Sequence, residues 1–201
     1  MARVQPLYEA KDIAAIRDSL NNRSRDIEKG AATEQTAARD RLFFTMAINT
    51  GLRPSDLVKL PANKKFWSGN TFRIKMQKTQ KYTEIGIGSS LRNALETYWE
   101  SHPAPPEYLF YSTTGGVVPS EGHVTRRWTW TFFKKWAERS GIDGSFGGTT
   151  GRRTCATHIY MNTGRVEDAQ VILGHQNPGT TFAYIGVLSK QALEAQSSLD
   201  L

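Results

Sequence analysis

A single change of hydrophobic period constrains this chain more than any other feature. Through most of its 201 residues the apolar positions recur at helical spacing, and only around residues 71–87 do they alternate. Ile13, Ile16 and Leu20 fall on one face of the segment 8–20, as an amphipathic helix requires. A second helix is expected over about Thr36–Asn49, carrying Leu42, Phe43, Met46 and Ala47, with Thr50-Gly51 as its stop. Residues 21–35 between them are polar and read as a loop, and Pro54 suits the start of a short helix through Asp56, Leu57 and Leu60. The alternation then sets in. Phe72, Ile74 and Met76 interleave with polar residues, and Thr83, Ile85 and Ile87 do the same, so a β-hairpin should turn around Gln77–Lys81. The helical period returns at 89–100 and, after a proline-rich loop at 102–106 and a Gly115-Gly116 turn, over about Ser120–Ser140. In that long helix Trp128, Phe132, Phe133 and Trp136 read as core, with Arg126, Arg127, Lys134 and Lys135 between them. A glycine-rich loop at 141–151 leads to helices at about Thr154–Met161 and Val166–Leu173, the latter ended by Gly174, and to a short one around Tyr184. The fold class is therefore mainly α with one small antiparallel β-hairpin.

Composition narrows the function. Hydrophobic residues make up 38% of the chain and aromatics 10%, enough for the core of a good-sized domain. No apolar run approaches the roughly 20 residues that span a bilayer, and the polar, charged start carries no secretory signal, so a cytoplasmic protein without membrane association is expected. Cys155 is the sole cysteine, which excludes an intramolecular disulfide and a cysteine zinc cluster, and the four histidines are not closely paired. No metal or other cofactor is expected. Lys and Arg number 26 against 19 acids, a formal charge of +7, which favours a polyanionic partner such as DNA.

Four separated segments carry candidate chemistry. They are Arg53 in TGLRPSDLVKL, Lys78 on the hairpin turn, Arg152 in GRRTCATHI, and LGHQNPGTTFAY with His175 and Tyr184. Singly, each has an ordinary explanation: a cap for Arg53, a solvated turn for Lys78, a helix-end histidine, a half-buried tyrosine. Jointly, the pattern resembles that of the tyrosine recombinase (phage integrase) family. Gly51-Leu52-Arg53 leads to Asp56-Leu57 as in its first arginine box. The run from Arg152 to His158 is similar to its second, and Leu173-Gly174-His175 followed by Thr180-Thr181 and Tyr184, nine residues after the histidine, is similar to its last. The resemblance covers about residues 8–188.

The resemblance implies a tyrosine recombinase catalytic fold and site-specific DNA recombination by strand cleavage and rejoining through a 3′-phosphotyrosyl intermediate, without cofactors. Two guanidiniums suit this chemistry because their planar, permanently charged forks match the oxygens of a phosphodiester. It assigns Tyr184 as nucleophile, Arg53 and Arg152 to the non-bridging oxygens, Lys78 as acid for the leaving 5′ oxygen, and His175 to the phosphate or to positioning Tyr184. Asp56 is expected to orient a catalytic side chain. Lys75 and Lys81 compete with Lys78 for its role and, with Arg126, Arg127 and Arg153, are candidate DNA contacts. Cys155, His158 and His123 are read as structural. One position departs from the family pattern. Thr149 stands where the family carries a histidine three residues before Arg152, and a neutral hydroxyl takes no proton near pH 7. Slower cleavage, not its absence, is expected; the alternative is a DNA-binding regulator or accessory protein of the same fold that has lost efficient cleavage. A type IB topoisomerase shares the chemistry, but the Leu-Gly-His segment favours a recombinase. Residues 1–188 are expected to form the catalytic domain, with no separate N-terminal core-binding domain. Residues 189–201, with Ala192, Leu193 and Leu199, are a tail that could pack on a neighbouring protomer of a homo-tetramer on paired double-stranded DNA sites.

Overall fold

The computed structural model describes residues 4–114, 118–185 and 196–198. Among these, nine α-helices and two separate two-stranded sheets follow one another along the chain: α1 Ala10–Asn21, α2 Ser24–Glu28, α3 Glu34–Thr50, α4 Pro54–Leu57, β1 Thr71–Lys75, β2 Tyr82–Gly86, α5 Ser89–Ser101, β3 Tyr111–Thr114, β4 Val118–His123, α6 Arg126–Arg139, α7 Thr150–Thr163, α8 Val166–Leu173 and α9 Pro178–Ile185. A single 3-10 turn occupies Lys64–Trp67.

Helix α3 is the central pillar. It packs on α1, α5 and α7, and nearly all its residues from Thr36 to Thr50 are buried, polar ones included. Its start is set by a capping box in which the Thr33 side chain accepts from the Thr36 amide while Thr36 Oγ1 accepts from the Thr33 amide. Each such reciprocal cap satisfies two otherwise orphaned donors. Its end is set by Gly51 at φ +63°, the left-handed geometry that favours glycine. The buried charge that α3 carries is paired. Asp40 accepts from Arg23 at 2.7 Å and from Arg39 at 2.8 Å, and Arg39 also donates to the Tyr111 carbonyl. Around the pillar, Phe43 meets Phe110, Trp128 and Phe132 edge-on. The aromatic face of α6 is thus core, as its spacing predicts.

Two cores result. The large one surrounds α3, and a small one, of Ala156, Val166, Ala169, Leu173 and Ile185, fills the space between α7, α8 and α9. The two are joined where α7 crosses α3. A Cβ on Gly151 would stand 2.6 Å from the Ala47 Cβ and 3.0 Å from its backbone carbon, so only glycine permits this approach.

The structure corrects four expectations. Residues 21–35 are not wholly loop, because α2 forms within them, closed by Asp26 pairing with both Arg23 and Arg139. The helix expected from Ser120 begins at Arg126. Thr125 caps it by accepting from the Trp128 amide, and the preceding residues form β4, with Gly122 at φ +82°. A second hairpin, β3–β4, therefore exists beside the expected one, its short strands too irregular to show an alternating pattern. Helix α7 starts four residues earlier than expected, at Thr150. Gly115 and Gly116 lie outside the described residues.

Candidate active site

The expected hairpin is β1–β2, antiparallel with Thr71 opposite Gly86 and Lys75 opposite Tyr82. Its turn is closed by the Met76 amide donating to the Lys81 carbonyl and the Gln80 amide to the Met76 carbonyl, with Gln80 at φ +56°. Buried Met76 anchors one arm while Lys78 sits exposed at the tip. The turn is tethered to α4. The Gln77 amide donates to Asp56 Oδ1 at 2.9 Å, and the Gln77 side chain to the Ser55 carbonyl at 2.6 Å. Asp56 is 1% exposed. The aspartate expected to orient a side chain, three residues after Arg53, thus holds the backbone beside Lys78.

Arg53 is the extended residue between Gly51 and α4, half-buried, its position set by Pro54 at the first helical turn. Arg152 lies in the first turn of α7, 3% exposed. Its guanidinium donates to the carbonyl of Gly51 at the end of α3 and, at 2.6 Å, to that of Leu173, the last residue of α8. Two helix C-termini therefore converge on one cation, where their partial negative charge stabilises it. Burial pushes Arg152 down to about 10, with Tyr184 raising it, the like charge of Arg53 lowering it and Asp56 raising it. It remains charged at neutral pH. Gly51 is crowded as well as left-handed here, since a Cβ would meet Ile172 Cγ2 at 3.0 Å and Cys155 Sγ at 3.4 Å.

His175 follows Gly174, whose φ of +61° ends α8. Its Nε2 lies 3.4 Å from Arg152 Nη2 and its Nδ1 3.1 Å from Thr181 Oγ1. A guanidinium only donates, so Nε2 is the acceptor and Nδ1 carries the proton that Thr181 receives. Burial, then the charges of Arg152, Arg53 and Lys78, hold this imidazole down to about 4. It is neutral at pH 7. The same charges show that Arg53, Lys78 and Arg152, far apart in sequence, all bear on one histidine.

Tyr184, near the end of α9, stands edge-on to His175 with ring centroids 5.4 Å apart. The Arg152 Cζ is 5.8 Å from its ring centroid. Arg152, His175 and Tyr184 thus meet within one chain, with Arg53 and Lys78 near enough for their charges to act on His175. Thr149 precedes α7, half-buried, with no side-chain cap bond, and its carbonyl accepts from the Arg153 amide.

The remaining candidates separate. Lys75 and Lys81 are exposed on the arms of the hairpin, and Arg126 and Arg127 are exposed in the first turn of α6. Arg153, placed with them as a DNA contact by the sequence, is 8% exposed. Its guanidinium lies 4.4 Å from the Tyr184 ring centroid and donates to the Tyr184 carbonyl. That side chain is turned inward, because α9 packs over the face of α7 that carries it. Cys155 is buried, its thiol pushed up to about 12 by burial, and His158 Nε2 donates to the Leu7 carbonyl. His123 Nδ1 lies 2.8 Å from the Val124 carbonyl. Sequence reasoning gave no site role to Thr181, Gln77 or Thr157, whose partners are set by tertiary contacts. Among the described residues no group of three or more His, Cys, Asp or Glu is placed to hold a metal ion. No helix among them is long and apolar enough to cross a membrane.

A mainly helical domain that sets an arginine and a neutral histidine against a tyrosine, with a further arginine and a lysine acting on that histidine, defines a class of protein suited to a phosphate ester. The family comparison is specific: residues 18–191 match the model of the phage integrase family, and the chain belongs to that family. It is 27% identical over 184 residues to the probable integrase/recombinase YoeC of Bacillus subtilis (strain 168), covering 92% of this chain and 90% of that protein. It is 26% identical over 166 residues to tyrosine recombinase XerA of Thermococcus onnurineus (strain NA1), covering 83% of this chain but 57% of that one. Among solved structures, a XerH site-specific recombinase bound to palindromic difH substrate, a post-cleavage complex, aligns with a TM-score of 0.73 at 19% identity, over 98% of this chain and 54% of that one. The catalytic domain of bacteriophage HP1 integrase aligns with a TM-score of 0.57 at 20% identity, over 90% and 87%. The fold is that of tyrosine recombinase catalytic domains, and the chain spans little more than half of several relatives.

Proposed function

We propose that this chain is a site-specific recombinase that cuts and rejoins DNA through Tyr184. The observation that carries the reading is the convergence of Tyr184, His175 and Arg152, with ring and guanidinium separations of 5.4 and 5.8 Å, on a point where Arg53 and Lys78 also act. Arg53 and Arg152 neutralise the non-bridging oxygens as charge builds on the phosphoryl group. The Tyr184 oxygen attacks phosphorus and forms the 3′-phosphotyrosine, the bond to the 5′ oxygen breaks, and Lys78 gives that oxygen its proton. The phenolic proton is released to water as the oxygen attacks, while neutral His175, edge-on to the ring, positions the phenol. The phosphotyrosine keeps the energy of the broken bond, so attack by a 5′ hydroxyl rejoins the strand and returns each proton.

Lys75, Lys81, Arg126 and Arg127 would contact phosphates along the duplex, and these fix register without reading sequence. Residues 1–188 serve as the catalytic unit. The tail residues Ala192, Leu193 and Leu199 lie outside the described residues, and their docking on a neighbour within a tetramer on paired sites belongs to this reading.

Thr149 favours a second reading, a DNA-binding regulator with attenuated cleavage, because it removes one proton-handling group from a family site. Trapping on nicked suicide duplexes decides between them. A pool of nicked duplexes of randomised sequence is incubated with the protein and run on a denaturing gel beside Tyr184→Phe and Thr149→His. The recombinase reading expects a DNA-linked band absent from Tyr184→Phe and stronger in Thr149→His, by up to the ~10²–10⁴-fold that one acid–base group contributes. A band only in Thr149→His, on DNA that both proteins bind, supports the regulator. No band in any of them overturns cleavage by Tyr184.

A further inference from the structure

Helix α9 is short, and its last turn leaves carbonyls without helical partners, as every helix end does. Two of these carbonyls are met by side chains one turn apart on α7. Arg153 Nη1 donates to the Tyr184 carbonyl at 2.5 Å, and Thr157 Oγ1 donates to the Ile185 carbonyl at 3.1 Å. The cation also lies at the negative end of the α9 dipole. The same guanidinium covers one face of the Tyr184 ring, 4.4 Å from its centroid, while His175 meets the ring edge-on. Below the ring, Ile185 and Leu173 close the small core against which Tyr184 packs. Arg153 therefore acts on both the backbone and the ring of a single residue, from a site 8% exposed to solvent.

This arrangement does not suit a DNA contact, since a buried guanidinium committed to a carbonyl and a ring face has to break both to reach a phosphate. It suits a constraint on where the phenol points. Among the described residues helix α9 packs chiefly on α7 and α8, and the loop before it, residues 176–177, is exposed. Without a fastening at its far end, α9 would pivot about that loop and carry Tyr184 away from Arg152.

We infer that Arg153 is the positioning residue for Tyr184: together with Thr157 it clamps α9 onto α7 and holds the nucleophile beside the arginines of its own chain. The inference rests on the reading of Tyr184 as nucleophile, and its physical content, the clamp, is separable from it. A misplacement of about 1 Å costs a reaction about 10²-fold, so losing the clamp should act on the chemical step and not on affinity.

The test uses Arg153→Ala, Arg153→Lys and Thr157→Val in the full chain, with a nicked suicide duplex selected from the randomised pool. Single-turnover adduct formation is measured at saturating protein, and duplex affinity is measured separately. Arg153→Ala should lower the saturating rate about 10²-fold with affinity unchanged within about twofold. Arg153→Lys, which keeps a charge and a donor but not the planar fork, should recover a large part of the rate. Thr157→Val should lower it in the same direction by less. Hydrogen exchange of residues 178–185 without DNA should speed up in Arg153→Ala while residues 34–50 keep their protection, which separates a released helix from a misfolded domain. A wild-type rate in Arg153→Ala, or a loss confined to affinity, overturns the inference, the second outcome making Arg153 a DNA contact. If the unmodified protein forms no adduct, the reading of Tyr184 fails, and exchange of residues 178–185 still decides the clamp: unchanged exchange in Arg153→Ala overturns it.

Discussion

His175 illustrates how much a single residue here depends on its surroundings. An exposed histidine titrates near 6.5, and this one is held to about 4 by burial and by three cations. A group whose folded pKa is depressed below its unfolded one takes up its proton more readily in the unfolded chain. The contribution of His175 to stability is thus complete above about pH 6.5 and is lost as pH falls from 6.5 towards 4. Denaturation midpoints followed over that window should fall with acid, and His175→Gln should remove that part of the slope. A duplex phosphate placed among the same cations would screen them, so the NMR titration midpoint of His175 should rise when DNA binds. A midpoint near 6.5 without DNA would show that Arg152 and Arg53 do not act on it as the geometry requires. Thr149 belongs to this scale too, because histidine there is expected to speed adduct formation and leave affinity for DNA unchanged.

At the scale of elements, the site is a product of helix ends. Arg152 ties the C-termini of α3 and α8 together, Gly51 and Gly174 end those helices in left-handed geometry, and Arg153 and Thr157 close α9. All of these contacts depend on how closely α7 approaches α3, which Gly151 sets. Gly151→Ala drives a methyl into Ala47 at 2.6 Å. Overpacking of this kind costs about 1–3 kcal/mol, and since the pillar backbone has to yield, the upper end is expected in urea denaturation. Adduct formation should fall in folded Gly151→Ala, because Arg152 is the next residue. Equal stability of the variant would mean that the helices separate at little cost.

Over the whole molecule, charge is divided by function. One set is internal: Arg23, Arg39 and Asp40 are paired under α3, and Asp26, pulled down to about 2 by Arg139, links α2 to α6. Removing one partner of a buried pair strands the others, so Asp40→Ala should lose about 3–5 kcal/mol of stability. Thermal unfolding checks it, and a loss under about 1 kcal/mol would show that solvent reaches the arginines. The other set, Lys75, Lys81, Arg126 and Arg127, faces outward, and in the proposed function it meets the phosphates of DNA. Each phosphate neutralised adds about −0.9 to the slope of log affinity against log salt. Lys75→Ala and Lys81→Ala should each make that slope shallower by about 1, whereas Arg153→Ala should leave it unchanged. A salt slope that responds to Arg153 and not to the hairpin lysines would reverse the assignment of the two sets.

The sequence by itself determined the helical character, the first hairpin, the stops at Gly51 and Gly174, and the family membership carried by Arg53, Lys78, Arg152, His175 and Tyr184. These signals are local: a hydrophobic period, a left-handed glycine, a motif with fixed spacing. Tertiary structure alone decided the rest. The second hairpin has no alternating pattern to announce it, and α6 starts where Thr125 can cap it. Arg126, Arg127 and Arg153 are alike in sequence, yet two face solvent and the third lies beneath Tyr184. The state of His175 depends on residues up to 122 positions away in the chain, from Arg53 to Arg152. Burial and Coulomb forces act through space, and only the packing of α7 against α3 and α9 brings those charges within reach.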